Sequence, residues 1–407
     1  MKKIVIALAS AGLFTAATPG ISQAGELEEM RATLQKLQAQ LEPMQARITQ
    51  LEAQKNEPKA SPAAASTVPV RSASAFGGNP NVTLYGKLDV FAEYNSGGGQ
   101  GDRVALESGG LNGSRLGFKG GADITEGVRG IFQVEAGYFA NNGSLAQGGR
   151  IFGRQAYAGI EGKYGRLTAG RQYSPLYNTV ISFDPYEQGY GSPTTDGNVS
   201  TGSTRFDSSI VYASPKINGL SANVMVALGG ETGNTSNNAA ALAVNYENGP
   251  FGASVAYQND DHVSASSSVI ENAFIGASYQ VKNTKLMAGV GRVDTDPDVG
   301  NSKTRNEWMI GSQSALTATG QLLLAYAEGR TQDAAPSDKS CVATIGWVET
   351  ISAQSRIYGI ISHHWNDAGA ALVPMGTSSA NNYVVNPGDS PPVWRWAISI
   401  HSEPAQP

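Results

Sequence analysis

The sequence predicts an all-β protein: a 16-stranded antiparallel transmembrane β-barrel, preceded by an N-terminal coiled-coil helix. Three observations carry the prediction. From residue 81 onward, apolar and polar side chains alternate with a period of two. The connections between these stretches alternate as well, short then long. Finally, no stretch beyond the N-terminus approaches the roughly 18 apolar residues of a spanning helix. Only helices and closed barrels satisfy their backbone inside a lipid bilayer.

Composition narrows the chemistry. The chain has 407 residues, of which 40% are hydrophobic, 15% are charged and 49 are glycine. Charge is low against the roughly one quarter usual for soluble domains. Cys341 is the single cysteine, so no disulfide forms within the chain and zinc sites built on two or more cysteines are excluded. Four histidines, His262, His363, His364 and His401, leave little room for histidine catalysis. No metal and no cofactor is expected. The net charge of −5 argues against nucleic acid as a partner, because such proteins show a basic face.

Residues 1–24 read as a secretory signal peptide. Lys2 and Lys3 precede a mostly apolar run from Ile4 to Ala17, and Ser22-Gln23-Ala24 offers small residues for cleavage. Without this segment the chain has 27 basic and 34 acidic residues, a net of −7.

Residues 25–57 form a heptad seam. Leu27, Met30, Leu34, Leu37, Leu41, Met44, Ile48 and Leu51 follow spacings of 3, 4, 3, 4, 3, 4, 3. So narrow a stripe is the signature of a coiled coil, whereas a lone globular helix shows a wider apolar face. Pro43 removes one helix hydrogen bond but sits away from the seam. Residues 58–80 follow as an Ala/Ser/Pro-rich linker without periodicity.

The barrel domain is expected over 81–407. Sixteen alternating stretches run from 82–94 to 392–402, an even number. Tight turns fall at Thr125-Glu126, Lys163, Pro215-Lys216-Ile217, Gly249, Lys282, Thr317 and Ile351. Long polar loops fall at 95–112, 140–149, 173–203, 229–237, 261–269, 295–303, 331–338 and 365–391. Short turns on one rim and long loops on the other describe an outer-membrane barrel. Sixteen strands leave a lumen wide enough for water. Parity places Lys87, Asp89, Glu93, Lys119, Gln133 and Glu135 on the lumen-lining face. It sends Leu84, Leu88, Val224 and Ile345 toward lipid. Tyr85, Tyr138, Tyr157, Trp347, Tyr358, Trp394 and Trp396 are candidates for interfacial girdles.

Several stretches resemble the general trimeric porins of Gram-negative bacteria, in particular the β-proteobacterial type. They are VTLYGKLD (82–89), GSRLGFKG (113–120), GVRGIFQVEAG (127–137), GGRIFGRQAYAGIEG (148–162) and GRLTAGRQYSPLY (165–177). The likeness is dense over about 82–215 and diffuse beyond. It implies a homotrimer whose third long loop folds into each pore. It also implies a constriction where wall arginines face acidic loop residues. By motif, the arginines are Arg115, Arg154 and Arg205, and the loop acids are Asp184 and Glu187, with Asp196 a further candidate. Two features depart from the family pattern: the heptad rod ahead of the barrel, and an end at Pro407 in place of a terminal aromatic residue.

The function this implies is a water-filled channel for small hydrophilic solutes and ions, mildly anion-preferring, in the outer membrane. Both barrel ends lie on the short-turn side, so the rod points into the periplasm, where it would support trimerisation and reach toward peptidoglycan. Four other functions compete with this one. An enzyme is disfavoured because no nucleophile sits with a histidine and a carboxylate. An adhesin is disfavoured by sixteen strands in one chain. A channel specific for carboxylates or other small anions, and a tether between outer membrane and cell wall, are the alternatives that the sequence leaves open.

Overall fold

The computed structural model describes residues 81–96, 102–195, 197–229, 238–261, 268–297, 299–372, 387–390 and 392–402. The expected signal peptide, heptad helix and linker lie outside the described residues, as does Asp196. No helix among the described residues is long and apolar enough to cross a membrane.

One antiparallel sheet dominates. Its strands are β1 (Asn81–Asn95), β2 (Arg103–Ser108), β3 (Arg115–Thr125), β4 (Val128–Gly137), β5 (Gln155–Gly162), β6 (Gly165–Tyr173), β7 (Arg205–Ala213), β8 (Leu220–Ala227) and β9 (Ala239–Asn248). They continue as β10 (Phe251–Asp260), β11 (Ser268–Val281), β12 (Thr284–Pro297), β13 (Lys303–Ala315), β14 (Gly320–Thr331), β15 (Ser340–Ser352), β16 (Ser355–Asn366) and β17 (Pro392–Ser402). Helix α1 (Pro175–Ser182) sits between β6 and β7.

Strand β1 closes the ring. Along one edge it pairs with β17, Gly86 opposite Ser402 through Asn95 opposite Val393. Its other edge is shared: β2 pairs with residues 90–95 and β3 with residues 81–87. Thus β2 and β3 are two pieces of one stave, and the barrel has sixteen staves. The sequence places 95–112 in a loop; the structure instead holds β2 there, six residues long and followed by Gly109-Gly110. Gly109 takes φ +82° and donates its N–H to the Asp89 carbonyl at 2.9 Å. This left-handed step, favoured at glycine, turns residues 109–114 inward before β3 resumes the ladder. Asp89 caps the excursion: Oδ2 accepts from the N–H groups of Leu111 and Asn112 at 3.0 Å.

The period-two pattern sorts side chains as expected. Leu84, Leu88, Leu116, Phe118, Val224 and Ile345 are exposed on the outer surface. Aromatics ring it near both ends: Tyr164, Tyr212, Phe251 and Tyr279 by the short turns, and Tyr94, Tyr257, Trp308 and Trp365 by the long loops. Those are the positions of interfacial girdles. Three expected girdle residues turn inward instead. The hydroxyl of Tyr85 donates to Glu135 Oε2 at 2.7 Å, that of Tyr157 to Gln133 Oε1 at 2.8 Å, and that of Tyr358 to Asp89 Oδ1 at 2.7 Å. Each found a polar partner across the lumen wall, which a rim position would not have offered. Tyr138 bonds the Lys87 carbonyl at 3.3 Å, while Trp347 donates to Glu349. The side chains of Trp394 and Trp396 lie outside what is described.

Residues 174–195 and 197–204 run along the inner wall. Ser174 caps α1, its Oγ accepting the Tyr177 N–H at 3.0 Å, and Pro175 opens the helix. Leu176 and Val180 of α1 then join Phe183 and Val199 in an apolar cluster with Ala243, Ala256, Phe274, Met309 and Val342 of the wall. Farther along, Tyr186 and Tyr190 pack with Phe91, Leu323, Val348, Tyr358 and Ile360. Wall glycines make room for the bulky loop residues: a Cβ on Gly276 would lie 2.4 Å from Phe183, and one on Gly346 2.9 Å from Tyr186. Polar contacts complete the seat. Gln313 Nε2 donates to the Pro185 carbonyl at 2.8 Å, and the Tyr186 hydroxyl to the Leu323 carbonyl at 3.0 Å. At the tip, Tyr190 N–H reaches the Gly110 carbonyl at 2.6 Å. The inward step of the broken stave therefore holds the tip of the loop.

Candidate functional site

Strands β3 to β7 form the wall that carries the arginines. Arg115 is the first residue of β3 and Arg205 the first of β7. Arg154 immediately precedes β5, its N–H bonded to the Glu135 carbonyl at 3.1 Å. Tyr173 ends β6 and lies directly opposite Arg205 in the ladder.

Hydrogen bonds join these groups into one continuous series. Tyr157 donates to Gln133, and Gln133 Nε2 donates to the Tyr85 hydroxyl at 2.6 Å. Tyr85 donates to one oxygen of Glu135, whose other oxygen, Oε1, accepts from Arg154 Nε at 2.6 Å. Arg154 Nη2 continues to the Tyr173 hydroxyl at 2.7 Å, and Arg205 Nη2 meets that same oxygen at 2.6 Å. The Arg205 guanidinium also lies 4.3 Å from the centre of the Tyr173 ring. Tyr177 from the first turn of α1 stacks on Tyr173, centroids 4.7 Å apart and planes 10° from parallel. Lys119 lies 5.3 Å from the Tyr85 ring centre.

A second group extends the cationic wall. Arg150 and Arg171 each donate to one oxygen of Asp207 at 2.7 Å. Arg171 Nε is held by the Gly153 carbonyl at 2.7 Å. Arg115 donates Nε to the Gly113 carbonyl at 2.9 Å, and its terminal nitrogens make no hydrogen bond among the described residues, although the guanidinium feels the charge of Glu135. Five arginines (Arg115, Arg150, Arg154, Arg171 and Arg205) thus cluster with two carboxylates, Glu135 and Asp207, while Asp123, Arg129, Glu161 and Arg166 lie on the same strands outside this cluster.

The structure brings Arg115, Arg154, Arg205 and Glu135 together on one wall. The acidic loop residues are divided. Glu187 is exposed, in a left-handed backbone conformation of φ +49°. Asp184 does not face the gap: it is 1% exposed and buried in the loop. Its Oδ1 accepts the Tyr186 N–H at 2.9 Å, and Oδ2 accepts the Gln188 N–H at 3.3 Å and the Thr194 hydroxyl. Burial pushes the Asp184 carboxyl above the usual carboxylate range, against the pull of the donors from Thr194, Tyr186, Ser192 and Gln188. The carboxylate therefore shapes the loop and contributes no charge to its surface.

Of the remaining inner-face residues, Lys87, Lys119 and Gln133 are partly or fully accessible. Asp89 and Glu93 point inward as expected but are buried, Asp89 under the 109–112 excursion and Glu93 under Arg103. Sequence reasoning assigns no role to Tyr173, Arg150 or Arg171. A tyrosine between two arginine-rich strands is unremarkable until the register is known. Among the described residues no group of His, Cys, Asp and Glu is placed to hold a metal ion.

Comparison with known proteins agrees with this architecture. The sequence model described as Gram-negative porin matches residues 60–368. An outer membrane porin protein of Bordetella pertussis is 29% identical over 52% of this chain and 64% of its own length. Outer membrane porin protein 32 of Delftia acidovorans is 25% identical over 72% of this chain and 86% of its own. Among solved structures, an anion-selective porin from Comamonas acidovorans superposes with a TM-score of 0.72 at 24% identity, covering 79% of this chain and all of that one. The OmpT outer membrane protein of Vibrio cholerae shares the fold at a TM-score of 0.60 and 10% identity, over 79% of this chain and 97% of its own. A family match of that extent, on a closed barrel with a loop packed inside it, makes this chain a member of the Gram-negative porin family and a protein of the outer membrane.

Proposed function

We propose that the chain forms a water-filled channel through which small hydrophilic solutes and ions diffuse passively, with a mild preference for anions. The observation that carries this reading is the arginine wall set across from the inward loop. Its five guanidiniums outnumber the two carboxylates among them. An anion shedding part of its hydration shell is stabilised beside such a wall, and a cation is destabilised. Pairing matters to the strength of the effect. Arg154 is tied to Glu135, and Arg150 and Arg171 share Asp207, so the excess charge is modest. The similarity to a porin described as anion-selective supports the sign.

The barrel is proposed to assemble as a homotrimer, with the heptad segment 25–57 in the periplasm reinforcing the assembly. Purified protein in liposomes tests the channel reading. Swelling rates should fall smoothly as neutral solutes grow larger and should not saturate with concentration. Saturation at low concentration would replace diffusion with a binding step.

A second reading, a channel specific for carboxylates, draws on one observation. Arg115 keeps both terminal nitrogens without a hydrogen bond among the described residues, in the fork geometry that suits a carboxylate. Under that reading, millimolar dicarboxylate should block chloride current. Without block, the general channel stands.

A further inference from the structure

We propose that Tyr173 is a positioning residue of the constriction: its single phenol oxygen holds Arg154 and Arg205 at one point and couples both to the inner loop. The inference rests on the reading of this wall as the selective part of the pore. It goes beyond that reading by naming what sets the direction of the charges.

The physical need is plain. Two guanidiniums brought near each other repel, and long arginine side chains lose rotamer freedom when held. Glu135 meets this need for Arg154 alone, at Nε. Arg205 has no carboxylate partner among the described residues, and its Nε is buried without an acceptor. What Arg205 does have is Tyr173, twice over. Its Nη2 donates to the hydroxyl at 2.6 Å, and its guanidinium lies 4.3 Å from the ring centre, within reach of a cation–π attraction. The same hydroxyl accepts Arg154 Nη2 at 2.7 Å. A neutral phenol oxygen can take both bonds on its two lone pairs. It orders two cations without cancelling either charge, which a carboxylate at this position would do.

The ring then links wall to loop. Tyr173 ends β6, and Tyr177 lies in the first turn of α1, stacked on it at 4.7 Å. Tyr177 is buried, and α1 is packed on the inner wall of β8 to β11. Arginine orientation is thus referred to the seat of the loop. Backbone geometry supports the placement. The β6–β7 ladder slips between Gly170 and Gln172, and beyond the slip Tyr173 pairs directly with Arg205.

Tyr173→Phe in the full-length protein is the test. It keeps the stacked ring and removes the shared acceptor. Two measurements on purified wild type and variant read different consequences. The first is the rate at which phenylglyoxal modifies Arg154 and Arg205, followed by mass spectrometry. The inference predicts a rise of about threefold or more at both, with Arg115 unchanged. Equal rates in the two proteins would overturn it, whatever the channel's selectivity. The second is the anion-to-cation permeability ratio in a salt gradient, expected to fall about twofold with unchanged thermal melting. A wild-type ratio of one would sink the anion reading while leaving the labelling result to decide the role of Tyr173. Tyr173→Gln, which retains an acceptor oxygen without the ring, covers the case in which Tyr173→Phe fails to assemble. Its labelling rates should stay close to wild type at Arg154, and a rise there matching that expected of Tyr173→Phe would count against the shared-acceptor role.

Discussion

Pro185 of the inner loop occupies the space that Gly311 of β13 leaves in the barrel wall. A Cβ on Gly311 would lie 2.3 Å from Pro185 Cγ and 2.5 Å from the Leu324 carbonyl of β14, and Gln313, two residues along β13, donates to the Pro185 carbonyl. The loop is therefore keyed to the wall by shape as well as by hydrogen bonds. Gly311→Val should displace Pro185 toward the lumen, because the backbone of β13 is fixed by two neighbouring strands. Overpacking of this kind costs about 1–3 kcal/mol. Lower single-channel conductance with the barrel still folded is the expected result. Conductance equal to wild type would show that the loop yields at no cost to the pore.

Arg115 offers the simplest test of where anions are felt. Its terminal nitrogens make no hydrogen bond among the described residues, whereas Arg154 is tied to Glu135 and Tyr173. Arg115→Ala should lower the anion-to-cation permeability ratio about two- to threefold, roughly 0.4–0.7 kcal/mol. The loss should shrink at molar salt, where charges are screened within about 3 Å. An effect that persists undiminished at high salt would point to a change of shape.

Acid should not release the loop. Asp184 is buried, and its carboxyl is raised above the ordinary value. For an acid raised in the folded state, the stabilising contribution belongs to the protonated form. It is complete below the unfolded value of 3.8 and is lost as pH rises through the higher folded value. Lowering the pH from 7 to 4 should therefore leave loop-dependent conductance unchanged or steadier. A conductance jump on acidification would contradict this, since it would mean that the loop needs Asp184 ionised.

The heptad segment is proposed to act on assembly and not on conduction. Deleting residues 25–57 should lower the melting temperature of the oligomer while single-channel conductance stays nearly the same. Unchanged melting would remove trimerisation from the roles of this segment.

Much of the barrel was legible in the sequence because its period of two is a direct image of lipid outside and water inside. Leu84 and Leu88 against Lys87 and Asp89 needed no structure to sort. The number of staves was legible for the same reason, through the alternation of short and long connections. The break in the second stave was not. Strand β2 is short, and the turn at Gly109 is held by Asp89 from a neighbouring strand. Within the site, Arg115, Arg154 and Arg205 were reached by motif. Their organisation was not, because Tyr173 and Arg205 are separated by 32 residues and meet only through strand register. Asp184 shows the opposite failure. An acidic residue in a loop inside a pore reads as a lumen charge, yet the loop folds around it and engages its oxygens with two backbone N–H groups and the Thr194 hydroxyl.

The proposed selectivity turns on an excess of positive charge at the narrow part of a wet lumen. Reversal potential of the purified protein in a planar bilayer, under a tenfold potassium chloride gradient, measures that excess most directly. Chloride should set the sign of the potential, which should move toward zero as total salt is raised. A potential of the sign set by potassium, or none at low salt, would contradict it.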